Sequence, residues 1–75
     1  MNRDALLAQL SDLGLALGGV SDDTPIFSSG LLDSFSLVDL IAFVERETGR
    51  RMKTADVHLD NLDTIDRILA YANAG

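Results

Sequence analysis

The chain contains no cysteine and no tryptophan, only one proline, and half as many basic as acidic side chains. Without cysteine it can form neither a disulfide nor a thiolate metal site, and it has no cysteine nucleophile. Its net charge of −6 disfavours nucleic acid as a ligand, because binding phosphates needs clustered cations. The acidic balance either attracts a partner with a basic patch or only keeps a small domain in solution.

Long hydrophobic runs are also missing. No stretch approaches the roughly twenty apolar residues of a membrane span, and the charged start Met1-Asn2-Arg3-Asp4 lacks the apolar run of a secretory signal. We therefore expect a cytoplasmic, monomeric protein. The 75 residues predict one small domain, 1–75. Such a domain has little room for a deep active site, so we expect no enzyme.

Regularly spaced leucines predict the first helix. They are Leu6, Leu10, Leu13 and Leu17, on one face of a helix. We expect this helix to run from about Asn2, as its N-cap, to Leu17, and to stop at Gly18-Gly19. Residues 18–30 are then a long loop, whose apolar side chains predict that it packs onto the helices.

The second helix is predicted from Ser34 to Thr48, with Gly49 ending it. Its inward stripe is predicted to be Leu37, Val38, Ile41 and Val44. Two further apolar residues, Leu40 and Phe43, either pack on neighbouring helices or remain partly exposed as a docking site.

Residues 57–62 predict a short third helix or an irregular apolar segment. A last helix is predicted to begin at Asp63 as its N-cap. The predicted fold is all-α, a small bundle of three to four helices with a long packed loop between the first two. The predicted core is Leu6, Leu10, Leu13, Phe27, Val38, Ile41, Val44, Ile65, Ile68 and Leu69.

Asp33 and Ser34 lie where the apolar loop meets the second helix. Either side chain can cap the helix by accepting a hydrogen bond from an early backbone N–H. A phosphate on Ser34 would face the positive end of the helix dipole and its unpaired N–H groups. The position favours a serine that another enzyme modifies.

The pattern FxxGLLDSFSLVDL, from Phe27 to Leu40, resembles the attachment segment of acyl carrier and peptidyl carrier proteins. Residues 41–49 resemble the second helix of that family, and residues 60–65 resemble the opening of its last helix. The resemblance implies that Ser34 carries a 4′-phosphopantetheine arm, moved from coenzyme A by a phosphopantetheinyl transferase. It also implies that Asp33 helps to position the segment at that enzyme, where a metal ion commonly takes part.

The same resemblance implies a stand-alone acyl or aminoacyl carrier in a biosynthetic pathway. Its cargo would ride as a thioester, loaded by an adenylating ligase or an acyltransferase and passed to downstream acyl-processing enzymes. Partners would dock on the second helix, at Leu37, Asp39, Phe43 and Glu45. Phe35 replaces the leucine common after the serine. This substitution resembles those in D-alanyl carriers and in carriers paired with stand-alone adenylating ligases, which implies an amino-acid or modified-acyl cargo.

An alternative is a small helical interaction module that is never modified and binds a basic partner through its acidic second helix. Ser34→Ala discriminates between the two, because the alternative predicts that it is nearly neutral. The single histidine, His58, is expected to be a surface or loop residue. The acids show no metal-ligand spacing, so no protein-bound metal is expected.

Overall fold

Four α-helices and two 3₁₀ turns form the computed structural model, which describes residues 1–74. The helices are α1 (Arg3–Asp12), α2 (Ser34–Thr48), α3 (Leu59–Leu62) and α4 (Ile65–Ala72), and the 3₁₀ turns span Leu17–Gly19 and Thr54–Asp56. No strand occurs within residues 1–74, which confirms the predicted all-α bundle. None of the helices in this part of the chain is long and apolar enough to cross a membrane.

Helix α1 ends earlier than its leucine spacing predicts, at Asp12. Asn2 caps its start as expected, accepting a hydrogen bond from the N–H of Ala5 at 2.7 Å. At its end, Gly14 has a φ of +103°, and the N–H of Leu15 donates to the carbonyl of Leu10 at 3.0 Å. This is a Schellman ending, in which a left-handed glycine reverses the chain. The prediction that the helix continues to Leu17 was therefore wrong.

Helix α2 has the predicted bounds, Ser34 to Thr48. Its C-cap, Gly49, has a φ of +70°, and the Gly49 N–H donates to the carbonyl of Glu45 at 2.9 Å. Glycine adopts this left-handed conformation without the steric cost that a Cβ would bring. The glycine therefore fixes the end of the helix as the sequence indicates.

Helix α4 is capped by Thr64, so the prediction that Asp63 is its N-cap was wrong. The Thr64 hydroxyl accepts a hydrogen bond from the N–H of Arg67 at 3.1 Å. The carboxylate of Asp63 instead binds residues 27 and 28 of the loop. Before α4, the segment 57–62 contains the short helix α3, of which only Leu62 is buried.

The core combines side chains from α1, α2, α3, α4 and the loop. Its buried apolar members are Leu6, Leu10, Leu15, Ile26, Leu32, Leu40, Phe43, Val44, Leu62, Ile65, Ile68 and Ala72. Of the other predicted core residues, Leu13, Phe27, Ile41 and Leu69 are partly buried. Val38 was predicted wrongly, because it is 64% exposed.

The orientation of α2 explains the error at Val38. The helix buries Leu40, Phe43 and Val44, which are spaced as one face of a helix. Val38 lies two residues before Leu40, about 200° around the helix axis. A helix with apolar residues on several sides can turn any of these faces inward. In α2, packing against the rest of the bundle buries the face that carries Leu40, Phe43 and Val44.

The long loop between α1 and α2 is packed, as predicted. Ile26 is fully buried and Leu32 nearly so. The N–H of Leu32 donates to the carbonyl of Ile26 at 3.1 Å, which closes residues 26–32 into a tight loop. Both ends of this loop are therefore anchored in the core, immediately before α2 begins.

Candidate functional site

Ser34 is the first residue of α2, and its side chain is exposed. Within residues 1–74, no group forms a hydrogen bond with its hydroxyl. A serine at a helix start often accepts a hydrogen bond from the backbone, but here that position is already filled by its neighbour. The hydroxyl is therefore free to react with a group that comes from solvent.

Asp33 is the N-cap of α2. Its carboxylate accepts a hydrogen bond from the N–H of Ser36 at 2.9 Å. This bond favours the charged form of the carboxyl and is the main reason why the pKa of Asp33 lies below its ordinary value. Of the two side chains that the sequence offers as a cap, the structure uses Asp33.

The start of α2 offers a favourable place for a phosphate beside Ser34. Of its first four N–H groups, that of Ser36 binds the Asp33 carboxylate and that of Leu37 donates to the Asp33 carbonyl at 3.2 Å. The N–H of Ser34 remains at the positive end of a 15-residue helix, whereas that of Phe35 also contributes to the lowered pKa of Asp33. Such an end stabilises an anion through the dipole and its remaining donor.

A hollow of about 480 Å³ opens next to Ser34. It is lined by Phe27, Gly30, Leu32, Asp33, Ser34, Leu37 and Leu59. Its size lies within the range of small-molecule sites, roughly 300–1,000 Å³. Since most of its lining is apolar, a flexible chain attached to Ser34 has a surface to lie against. The hydroxyl, the helix start and the hollow together fit a phosphodiester-linked arm.

Exposed apolar side chains surround the serine. Phe35 is 82% exposed, Val38 64% and Leu31 48%. Phe35 and Val38 are three residues apart on α2, and Asp39 follows at the fourth position from Phe35, so the three form one surface. Large exposed apolar groups that share a surface are typical of a protein-docking site. We call Phe35, Val38 and Asp39 the docking face.

The four residues predicted to dock partners do not lie on one surface. Asp39 is exposed and Leu37 lines the hollow. Phe43 is only 7% exposed, because its ring lies in the core, so the expectation that it is available for docking is corrected. The Glu45 carboxylate accepts a hydrogen bond from the N–H of Met52 at 2.8 Å and holds the chain that follows α2.

Two members of the docking face were missed in the sequence. In the sequence, Val38 fits the predicted core stripe, and Phe35 differs from its neighbours only as a departure from a family pattern. The spacing of Phe35, Val38 and Asp39 could have indicated a shared surface. The sequence does not decide whether that surface or the opposite one is buried.

A second hollow, of about 250 Å³, lies by the chain that follows α2. Arg50 donates from Nη2 to the carbonyl of Ala72, at the end of α4, at 3.3 Å. The Tyr71 hydroxyl donates to the Asp56 carboxylate at 3.0 Å. Burial and this bond raise the pKa of Tyr71. None of these residues lines the hollow beside Ser34.

Comparison with known proteins identifies the family. A family model described as the phosphopantetheine attachment site matches residues 4–72. No curated protein and no solved structure matches the chain. Carrier domains of this family are not themselves catalytic, and they interact with phosphopantetheinyl transferases and acyl-processing enzymes. The matched span, the helical bundle and the exposed serine agree, and the chain belongs to the acyl and peptidyl carrier protein family, whose domains are attachment sites for 4′-phosphopantetheine.

Proposed function

We propose that residues 1–75 form a single carrier domain that bears its 4′-phosphopantetheine arm on Ser34. The observation that supports this assignment is the division of roles at the start of α2. Asp33 caps the helix through its bond to the N–H of Ser36. The hydroxyl of Ser34 stays exposed at the positive end of the helix.

The attachment is a phosphoryl transfer from coenzyme A. The Ser34 oxygen attacks the phosphorus that bears the pantetheine group and forms a phosphodiester. The bond from that phosphorus to the bridging oxygen breaks, and adenosine 3′,5′-bisphosphate leaves. The transferase takes the proton of the hydroxyl, because no base of this chain contacts Ser34 within residues 1–74. Asp33 contributes by holding the first turn of α2 in place.

The domain itself catalyses no reaction in this proposal. An acyl or aminoacyl cargo binds as a thioester to the terminal thiol of the arm, so a chain without cysteine can still carry it. A flexible arm on a small domain presents one cargo to several enzymes at high effective concentration. A separate adenylating ligase or acyltransferase loads the cargo, and other acyl-processing enzymes of a biosynthetic pathway consume it. The resemblance of Phe35 to the residue that follows the serine in D-alanyl carriers favours an amino-acid or modified-acyl cargo.

Partner enzymes contact the docking face in this proposal. Phe35 and Val38 supply apolar area beside the serine, and Asp39 supplies a negative charge for a basic partner. Aromatic side chains contribute much of the binding energy at protein interfaces. A transferase that must reach Ser34 lies against these residues, because they occupy the same two turns of α2.

Intact-mass analysis tests the proposal. The wild-type protein, Ser34→Ala and Ser36→Ala are each incubated with coenzyme A, magnesium and a broad-specificity phosphopantetheinyl transferase. Ser36→Ala is the matched control, because it removes a hydroxyl from the same helical turn. We expect one phosphopantetheinyl unit on the wild-type protein and the control, and none on Ser34→Ala. Modification of Ser34→Ala would contradict the assignment, and no modification of any form would favour an unmodified interaction module.

A further inference from the structure

Asp63 is the only carboxylate buried in residues 1–74, and its side chain is 8% exposed. It lies between α3 and α4, in a domain whose other acids are partly or fully exposed. Burying a carboxylate is costly unless hydrogen bonds replace its lost hydration. The hydrogen-bond partners of the Asp63 carboxylate therefore show which contact the burial serves. These partners do not include the N–H groups of α4.

All three hydrogen bonds of the Asp63 carboxylate come from residues 27 and 28. Its Oδ1 accepts from the N–H of Phe27 at 2.8 Å and from the N–H of Ser28 at 3.0 Å. Its Oδ2 accepts from the Ser28 hydroxyl at 2.6 Å. In addition, the Asp63 carbonyl accepts from the N–H of Ile26 at 2.7 Å. One residue thus holds three consecutive residues of the loop.

Burial by itself raises the pKa of Asp63. The hydrogen bonds from the Ser28 hydroxyl and from the N–H groups of Ser28 and Phe27 outweigh burial, and the pKa lies below its ordinary value. At neutral pH the side chain is therefore a carboxylate, which acts only as an acceptor. An acceptor-only side chain suits this site, because residues 27 and 28 present three hydrogen-bond donors to it.

The held segment leads directly to Ser34. Residues 26–32 form the closed loop described above, in which the N–H of Leu32 donates to the carbonyl of Ile26 at 3.1 Å. Leu32 is followed by the cap Asp33 and then by Ser34. Since Ile26 and Leu32 are both anchored in the core, the bonds to Asp63 fix the segment that precedes the serine.

We propose that Asp63 is a positioning residue for the modification of Ser34: it holds residues 26–28 so that the free protein presents the serine in the orientation that the transferase binds. The inference rests on the proposed function. Asp63 does not contact Ser34 and takes no part in the phosphoryl transfer. Its loss lowers the fraction of molecules whose Ser34 segment is competent for binding. A lower competent fraction raises the apparent dissociation constant of the transferase complex in proportion.

The test compares Asp63→Ala with Asp66→Ala. Asp66 is exposed on the first turn of α4, so its substitution removes the same charge and leaves the loop contacts in place. For each protein, transferase kinetics give KM for the carrier and kcat, at a temperature where all variants are folded. For Asp63→Ala we expect KM to rise about fivefold, with kcat within about twofold of wild type. Asp66→Ala should change neither.

Amide hydrogen exchange supplies a readout that does not depend on the transferase. We expect the amides of Phe27, Ser28 and Leu32 to exchange at least about tenfold faster in Asp63→Ala, while those of α1 keep their wild-type rates. An equal rise throughout the molecule, or an unchanged loop, would overturn the proposal. An unchanged KM together with faster amide exchange in the loop would overturn the proposal as well. Asp63 would then hold the segment, but this would have no effect on binding of the transferase.

A milder variant protects the test against misfolding. Ser28→Ala removes only the bond to Oδ2, and we expect it to shift KM and loop exchange in the same direction by a smaller factor. If Asp63→Ala folds, adding Ser28→Ala to it should change KM no further, since both act through one contact. Full additivity of the two substitutions would contradict the proposal. A wild-type protein that no transferase modifies would overturn the proposed function and this role together, while exchange would still show whether Asp63 holds the loop.

Discussion

The starts of α2 and α4 carry nearly the same dipeptide and use it in opposite ways. Asp33-Ser34 opens α2 with the aspartate as cap and the hydroxyl exposed. Asp63-Thr64 precedes α4 with the threonine as cap and the aspartate buried against the loop. The cap is shifted by one residue. At α2 the spare group is a hydroxyl available to another enzyme, and at α4 it is a carboxylate that binds the chain itself.

The difference shows that burial decides the role of each residue. The Asp33 carboxylate meets only the N–H groups of its own helix, because the start of α2 faces solvent. The start of α4 faces the loop, whose three donors require an acceptor. The two starts are also connected, since the loop held by Asp63 ends at Asp33.

The largest expected effect is on the stability of Asp63→Ala. This variant leaves the part-buried N–H groups of Phe27 and Ser28 without their acceptor, and an unsatisfied donor that is buried costs about 1–3 kcal/mol. We expect the free energy of unfolding to fall by about 3 kcal/mol, measured by denaturant titration. Asp66→Ala, at an exposed site on α4, should change it by less than about 0.5 kcal/mol. Similar losses in the two variants would remove the contrast between a buried and an exposed acid.

At the start of α2, the largest expected effect of a substitution is on the reaction with the transferase and not on stability. Phe35→Ala removes an exposed ring beside Ser34, and we expect kcat/KM of the transferase to fall about tenfold, equivalent to about 1.4 kcal/mol. The free energy of unfolding should stay within about 0.5 kcal/mol of wild type. A large loss of stability with unchanged kinetics would place Phe35 with the core instead.

Acid should weaken the α4 contact. The pKa of Asp63 is lower in the folded protein than its ordinary value of about 4, so below about pH 4 the unfolded chain binds more protons at this site. Stability is therefore present above that pH and is lost as the pH falls through the pKa of the folded state, by less than about 1.4 kcal/mol per pH unit. Denaturant titrations between pH 2.5 and 5 should show that the free energy of unfolding depends less steeply on pH in Asp63→Asn than in the wild type. An identical pH dependence in the two proteins would contradict this contribution.

The caps give the smallest expected effects and sharpen the comparison most directly. Asp33→Ala and Thr64→Ala each remove the side chain that caps a helix, so each should lower the free energy of unfolding by about 1 kcal/mol. Ser34→Ala removes no cap and should stay within about 0.5 kcal/mol of wild type. Thermal unfolding of the three variants tests this order. A loss at Ser34→Ala equal to that at Asp33→Ala would mean that the serine shares the cap.

Sequence reasoning predicted most where local chemistry decides the structure. The start of α2 at Ser34 and its glycine ending were both predicted, because a polar cap, a long apolar helix and a left-handed glycine agree there. The sequence also predicts that the serine lies at the start of the helix, but it does not decide whether Asp33 or Ser34 caps that helix. The choice depends on the direction of the chain before the helix, which no local pattern gives.

The predictions from sequence were wrong where tertiary packing decides the local structure. The leucines that follow Asp12 fit a longer α1, but Gly14 turns the chain back so that Leu15 packs in the core. Val38 fits the stripe of α2, but the bundle buries the face with Phe43. Asp63 fits an N-cap, and only a loop more than thirty residues earlier shows its actual partners.

The most direct test of the central claim is to locate the modification by fragment mass spectrometry of the wild-type protein after reaction with coenzyme A and the transferase. We expect a single phosphopantetheinyl group on Ser34. The neighbouring hydroxyls of Ser28, Ser29 and Ser36, and the cap Thr64, should remain unmodified, although all but Thr64 lie within six residues of the site. A group on any of these residues, or on several of them, would contradict the claim that the structure reserves the Ser34 hydroxyl for attachment.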